Sequence, residues 1–411
     1  MEEWKEYKLE EVCKSIADGD HMPPPKSDKG IPFVTISNIV DNRLDFCNTH
    51  FVPQSYYDGL DNKRRPHIGD TIYSVVGTFG KPVYVKEEKP FVFQRHIAIL
   101  RPDESKIVPQ FLFYSLLSPQ FYRKADVMAI GAVQRTISLT SLRNASIQLP
   151  SLKIQSKIVD MLSSIDDKIE VNRRINDNLE QQAQALFKSW FVDFEPFRDQ
   201  PFVESELGMI PNSWSVQTAN EVFEINIGKT PPRKEQEWFS NSNEDNVWVS
   251  IADMGSCGMF ISDSSEYLTD EAIDRFNIVM VERNSVLLSF KLTVGRVAIA
   301  DNQLTTNEAI ARFILPTEYY REFIYLYLKQ YKYENLGSTS SIATAVNSKT
   351  IKGMKLLIPP ASVLSDFSKI VKPLFESIRY ILQESKRLAS LRDTLLPRLM
   401  SGEIKVSDVT L

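Results

Sequence analysis

Few groups in this chain have the types and spacing for catalysis, and each falls short of a working pattern. Gly77-Thr-Phe-Gly-Lys81 resembles a phosphate-cradling turn. It lacks the GxxxxGK[ST] spacing, and Pro82 stands where the metal-binding hydroxyl is needed. Asp103-Glu-Ser-Lys106 holds the ExK triplet of some metal-dependent nucleases, without an obvious separate upstream acid. A proline-flanked charged loop accounts for it. His21, His50, His67 and His96 all lie in the first half, so an active site repeated in the second half would have none. An adenine methyltransferase holds its flipped base with an (N/D)PP(Y/F)-type loop. Met22-Pro-Pro-Pro25 and Ile358-Pro-Pro-Ala361 lack both the amide or carboxylate and the aromatic ring. A GxGxxG turn is also absent. The expectation is a non-catalytic chain that binds no metal or cofactor.

Planar, multidentate hydrogen bonding fits the remaining polar residues better. Lys63-Arg64-Arg65 precedes His67, Gln94-Arg95-His96 follows the Phe91/Phe93 run, and Gln134-Arg135 follows Gly131. The second half offers Lys229, Arg233, Lys234, Lys291, Arg296 and Asn307. Arginine matches guanine O6 and N7, and Gln or Asn matches adenine, so such mixtures suit base readout. Cations without amides would only position phosphates. Any one of these residues is as well explained as a solvated surface charge. The groups at 63–65, 94–96 and 229–234 are the better candidates.

Composition pulls the other way. With 48 Lys+Arg against 53 Asp+Glu over 411 residues, the net charge is −5, unlike a free-standing nucleic-acid binder. The charge is uneven: +1 over residues 1–150, −2 over 151–200, −6 over 201–361 and +2 over 362–411. Local clusters can therefore still present a positive face, with weak binding expected of the chain alone.

Cys13, Cys47 and Cys257 form no CxxC pair, which argues against a zinc site or disulfide framework. Scattered thiols suit a reducing cytoplasm. The acidic start MEEWKEYKLEE is no signal peptide, and no run approaches the roughly 18 apolar residues of a membrane span.

The elements that must position these groups are revealed by self-comparison at a lag near 210. Trp4 falls on Trp214, Ile31–Ile36 answers Val247–Ile251, and Phe111–Leu117 answers Phe323–Lys329. Ile147-Gln-Leu-Pro150 then aligns with Leu356-Leu-Ile-Pro359 at a lag of 209, which holds without gaps into the segment beyond. Each half predicts a mixed α/β domain, at 1–150 and 214–360, followed by one long helix, at 151–193 and 361–411. Residues 194–213, with three prolines, predict a linker.

In the first helix the apolar seam is Ile158, Leu162, Ile165, Ile169, then Leu179, Ala183, Leu186, Trp190. In the second it is Phe367, Val371, Leu374, Ile378, Ile381, then Leu388, Leu395, Leu399. This spacing predicts a coiled coil, with Pro373 kinking the second helix or delaying its start. Antiparallel pairing of two helices roughly 60 Å long would leave a domain at each end, related by a pseudo-two-fold axis. Two separate amphipathic helices are the alternative. Asn172 and Asn176 interrupt the seam, and so does Arg392. Buried, they would fix register; facing solvent, they would be a stutter.

Several motifs now carry a family resemblance. Ala185-Leu-Phe-Lys-Ser-Trp-Phe-Val-Asp-Phe-Glu-Pro-Phe197 resembles the central conserved region of type I restriction–modification specificity subunits. Leu391-Arg-Asp-Thr-Leu-Leu-Pro-Arg-Leu-Met-Ser-Gly-Glu-Ile-Lys-Val406 resembles their distal conserved region. Gly208-Met-Ile-Pro-Asn-Ser-Trp214 is similar to their entry to a second target recognition domain. Asp18-Gly-Asp-His21 and Gly228-Lys-Thr-Pro231 look like two forms of an early-strand turn. The resemblance covers essentially the whole chain, in the family's order. It implies a non-catalytic subunit that reads double-stranded DNA and whose helices dock two adenine methyltransferase (modification) subunits. Two ATP-dependent restriction subunits then join. S-adenosylmethionine, ATP and Mg would sit on those partners. Because the two domains differ in sequence, the target should be bipartite and asymmetric with a fixed spacer. The alternatives are a specificity subunit of a type II-like or phage-exclusion methylation system, and a coiled-coil adaptor that never touches DNA.

Overall fold

Ile97-Ala-Ile-Leu100 is an unbroken apolar run, as a strand covered on both faces requires. In the computed structural model, which describes residues 4–19, 24–132, 134–336 and 346–406, it is an inner strand of a four-stranded antiparallel sheet. The strand order is Cys13–Asp18, Ile97–Pro102, Thr71–Ser74, Pro82–Tyr84. Side chains alternate between faces, so Ala98 and Leu100 enter one core and Ile97 and Ile99 another. A short strand, Ile31–Val34, pairs parallel to Val92–Phe93 beside it. Lys5–Lys8 pairs antiparallel with Ser146–Leu149, tying the start of the domain to its end.

The second half repeats the plan. Its sheet runs Glu224–Ile227, Ile310–Ile314, Val286–Ser289, Val297–Ala300, with Phe260–Ile261 added at the edge. Asn246–Val249 pairs parallel to Thr305–Thr306, and Ser215–Thr218 antiparallel to Lys355–Ile358. The helices Pro109–Leu117 and Tyr320–Gln330 occupy the same place in the order. Even a first-turn contact recurs: Glu11 accepts the backbone N–H of Lys8, and Glu221 that of Thr218, each at 2.6 Å.

The chain divides into two units, Met1–Ile169 with Arg387–Leu411, and Glu170–Lys386. The forty-residue helices Leu152–Phe191 and Ala361–Met400 therefore each contribute to both, rather than standing apart from the domains. In the first unit Ile158, Leu162 and Ile165 are buried with Leu395 and Leu399 in the core that holds Ala98 and Leu100, and Ile169 and Leu388 pack at its margin. In the second unit the helices run antiparallel, since Asn172 meets Glu384 and Ser385 while Phe191 stacks edge-on with Phe367 at 4.7 Å.

Three sequence expectations change. In the second unit the fully buried stripe is Ala183, Phe187 and Phe191 against Phe367, Val371, Phe375 and Ile378. Leu179, Leu186 and Leu374 lie at its edge, and Ile381 is half-buried. The rings of Phe187, Phe191, Phe367 and Phe375 share this core with sheet residues such as Val286 and Phe313. Residues 194–213 are not a bare linker: a 3-10 turn at Glu195–Phe197 and a hairpin of Phe202–Ser205 with Gly208–Pro211 occupy them. Phe197 and Ile210 are buried beside Trp214, and that aromatic contact outweighs the turn propensity of the prolines. Pro373 lies within the continuous helix Ala361–Met400 instead of delaying its start. Neighbours such as buried Val371 and Phe375 hold the turn together despite the missing donor.

Asn172 is 1% exposed and donates to Glu384, so it is an interior polar residue rather than a solvent-facing stutter. Arg392 is half-buried and bonds Asp166 at 2.9 Å, which also accepts the Tyr114 hydroxyl at 2.7 Å.

Candidate nucleic-acid interface

Two of the sequence clusters in the first unit, Gln94–His96 and Gln134–Arg135, come together at one end of its central sheet, while the main chain of Lys63–Arg65 is anchored toward the other end. Gly19 donates its amide to Ile97 at 3.2 Å, and a Cβ there would overlap the Phe93 carbonyl, so only glycine lets this turn close. Gln94-Arg95-His96 forms the tight turn over it: Gln94 N–H bonds Val34, and the His96 carbonyl accepts from Val75 at 2.9 Å. The loop from Ser74 to Lys81 closes beside that turn. Its Gly77 amide bonds the Arg135 carbonyl at 2.9 Å, which brings in Gln134 and Arg135. Arg64 reaches the same end through Asp18, at 3.8 Å.

The Lys63–His67 segment is held by Arg101. Its guanidinium forks the buried Asp70 at 3.0 and 2.9 Å and donates to the carbonyls of Asn62 and Arg65. His67 bonds Asn62 at 3.0 Å. Burial first, and then the Arg95 cation, push the His96 imidazole below its ordinary value.

The second unit builds the same end from different residues. Gly228 bonds Ile310 at 3.2 Å, and a Cβ would overlap the Thr306 and Asn307 carbonyls. Asn307 stands where Gln94 does, donating its amide to Val249 at 3.0 Å. The loops match residue for residue. Lys81 and Arg296 each donate a backbone amide to the hydroxyl of Ser74 or Ser289, and Gly80 and Gly295 each bond the carbonyl of the same serine. Sequence reasoning missed Lys81. The repeated spacing Ser-x5-Gly-[KR] at 74–81 and 289–296 was the available signal.

Tertiary contacts divide the candidates. Arg65 donates to the Asp58 carbonyl and lies over Tyr57. Arg135 pairs with Asp126 and lies over Phe79. Arg233 forks Glu266 at 2.8 and 2.9 Å and packs over both Phe239 and Trp248. Lys229 caps the carbonyls of Phe276 and Asn277, and Arg296 bonds the Ile251 carbonyl across Gly255. These five cations shape the surface. Lys63, Arg95, Gln134, Lys234 and Lys291 are exposed. Beside Val34, a polar depression of roughly 310 Å³ is lined by Thr35, Ser37, Asn38, Asp45, Asn48 and His50 among others.

Other sequence candidates have plain roles. Asp103 accepts from Ser105, and Lys106 donates to the Glu11 carbonyl, as in a hydrogen-bonded loop. His21 lies outside the described residues. Among the described residues no group of three His, Cys, Asp or Glu could hold a metal, and no helix is long and apolar enough to cross a membrane.

Two α/β domains of one topology, each with a polar loop-built sheet end, and two shared long helices define a duplicated recognition module. The chain matches the type I restriction modification DNA specificity domain over residues 1–181 and again over 211–389, and it belongs to that family. It is 27% identical to the type I restriction enzyme HindI specificity subunit of Haemophilus influenzae, spanning 98% of this chain and 100% of that one. It is 29% identical to the type I restriction enzyme MjaIX specificity subunit of Methanocaldococcus jannaschii, over 74% of this chain and 71% of that one. Its fold resembles the crystal structure of a type I restriction–modification S subunit from M. genitalium, with a TM-score of 0.54 and 15% identity over 97% and 96% of the two chains.

Proposed function

We propose that this specificity subunit reads a bipartite, asymmetric DNA target, each unit taking one half-site through the sheet end described above. The observation carrying this reading is the equivalence of two differently furnished turns: Gln94-Arg95-His96 in the first unit and Asn307-Glu308-Ala309 in the second. A two-fold protein with identical ends would read a palindrome; unlike ends read unlike half-sites. The exposed Lys63, Arg95, Gln134, Lys234 and Lys291 are the residues proposed to meet phosphates and base edges, with Gln94 and Asn307 reading bases. The two forty-residue helices set a fixed spacer and dock two methyltransferase subunits. The chain itself performs no catalysis. S-adenosylmethionine, ATP and Mg belong to the modification and restriction subunits, and the complex works in the cytoplasm. At −5 net charge, appreciable DNA affinity arises on assembly with those partners.

Methylome mapping in a host expressing this chain with its cognate modification subunit tests the proposal. One bipartite motif with a fixed gap is expected; a continuous palindrome, or no motif, would sink it. Exchanging residues 1–150 for another recognition domain should change one half of the motif only. Removing one heptad from both helices, roughly 10 Å, should alter the gap or abolish assembly.

A further inference from the structure

The loop from Ser289 to Arg296 presents Leu292 with 98% of its surface exposed and φ at +57°. A single exposed leucine is ordinary on a protein surface. A leucine held in the left-handed region is not, because its Cβ crowds the backbone there. The fold demands this conformation at this point: the counterpart in the first unit is Gly77, at φ +69°, with open space around the position a Cβ would take. Glycine would satisfy the second loop equally well. The conformation is fixed on both sides, since the Ser289 hydroxyl donates to the Thr293 carbonyl at 2.6 Å and accepts from Arg296 at 3.0 Å, and Gly295 bonds the Ser289 carbonyl at 3.0 Å. Leu292 is thus a rigidly presented apolar side chain that incurs backbone strain and exposure for no contact within the described residues.

Its position says what it serves. Phe290, two residues before it, bonds the Ala309 carbonyl, so the loop tip lies at the same sheet end as Asn307 and Gly228, and exposed Lys291 is adjacent. Resting on the DNA-reading role proposed above, we infer that Leu292 is an apolar wedge that inserts between bases of the half-site read by the second unit. Lys291 beside it meets the flanking phosphate. Apolar side chains inserted in this way unstack one base step and lock the duplex in a bent form. The first unit, with Gly77 in the equivalent place, has no such wedge there, so the two half-sites are deformed unequally.

The test uses the methyltransferase assembled with either the wild-type or the Leu292→Gly chain. Each is titrated against a fluorescent duplex carrying the mapped motif, and against the same duplex with the second unit's half-site scrambled. Kd for the motif duplex should rise about tenfold or more, as for loss of one base-stacking contact, with the scrambled duplex unaffected. A mismatch at one step of that half-site should restore part of the loss, because an already broken stack needs less prying. Leu292→Met should bind as wild type, and Leu292→Gly should leave Tm unchanged or raised, since glycine adopts positive φ readily. An unchanged Kd, an equal loss on both duplexes, a lowered Tm or lost assembly would each overturn the wedge. If the wild-type complex fails to distinguish the two duplexes, the DNA-reading assignment falls, and the wedge with it.

Discussion

Asn172 donates its side-chain amide to the Glu384 carboxylate at 2.6 Å, joining the two long helices inside the second unit. It also bonds Ser385 at 3.2 Å and is 1% exposed, so this polar contact sits in the seam between apolar layers. A buried polar residue bonded across the seam in this way ties one register to one pairing. Asn172→Ala removes two hydrogen bonds to half-buried acceptors and should lower the chain's unfolding free energy by about 1 kcal/mol. Urea unfolding read by circular dichroism measures it, and an unchanged midpoint would contradict the role.

Arg101 and Asp70 make the corresponding polar anchor in the first unit. Asp70 is 1% exposed, and the guanidinium also holds the Asn62 and Arg65 carbonyls. Arg101→Ala strands a buried carboxylate and should cost roughly 3–5 kcal/mol. Arg101→Lys keeps the charge but loses the fork. It should fall between the two in urea midpoint and should increase protease cleavage near Lys63.

Gly19 and Gly228 serve one geometric purpose in separate units, each lying against carbonyls of the turn at the sheet end, Phe93 and Gln94 in one and Thr306 and Asn307 in the other. Alanine at either position forces that turn outward. Gly19→Ala should relax or abolish one half of the methylation motif, and Gly228→Ala the other half. Sequencing the methylome of each variant decides; loss of the same half in both would refute the assignment of one half-site to each unit.

Asp253 caps its helix from the first turn. Burial opposes its ionisation, but hydrogen bonds from Ser250 and Ser265 outweigh that and hold its carboxyl below the usual carboxylate range. A depressed folded pKa means the stabilisation is present above the unfolded value near 4 and is lost as pH falls through the folded one. The difference in urea midpoint between wild type and Asp253→Asn should be largest near pH 7 and shrink below about pH 4. A difference independent of pH would show that the carboxylate charge plays no part.

The twofold plan, the long helices and the apolar seam at Ile158, Leu162 and Ile165 were legible because they repeat, and a repeat is read along the chain without knowing which residues meet in space. The resemblance motifs were legible for the same reason, as contiguous strings. The hairpin at 202–211 was hidden because Phe197, Ile210 and Trp214 pack into one hydrophobic cluster, which no local propensity records.

By itself, then, the amino-acid sequence determined that one domain plan is used twice, joined through two forty-residue helices, with cations and amides in repeated places. Only the tertiary structure decided which of those cations an acidic side chain engages. Arg233 is bound by Glu266, thirty-three residues away, and Arg135 by Asp126, while Lys63 and Lys291 remain exposed. Charge counting along the chain treats all four alike. An ion pair depends on a few ångströms of separation in space, and that distance exists only after the strands have paired.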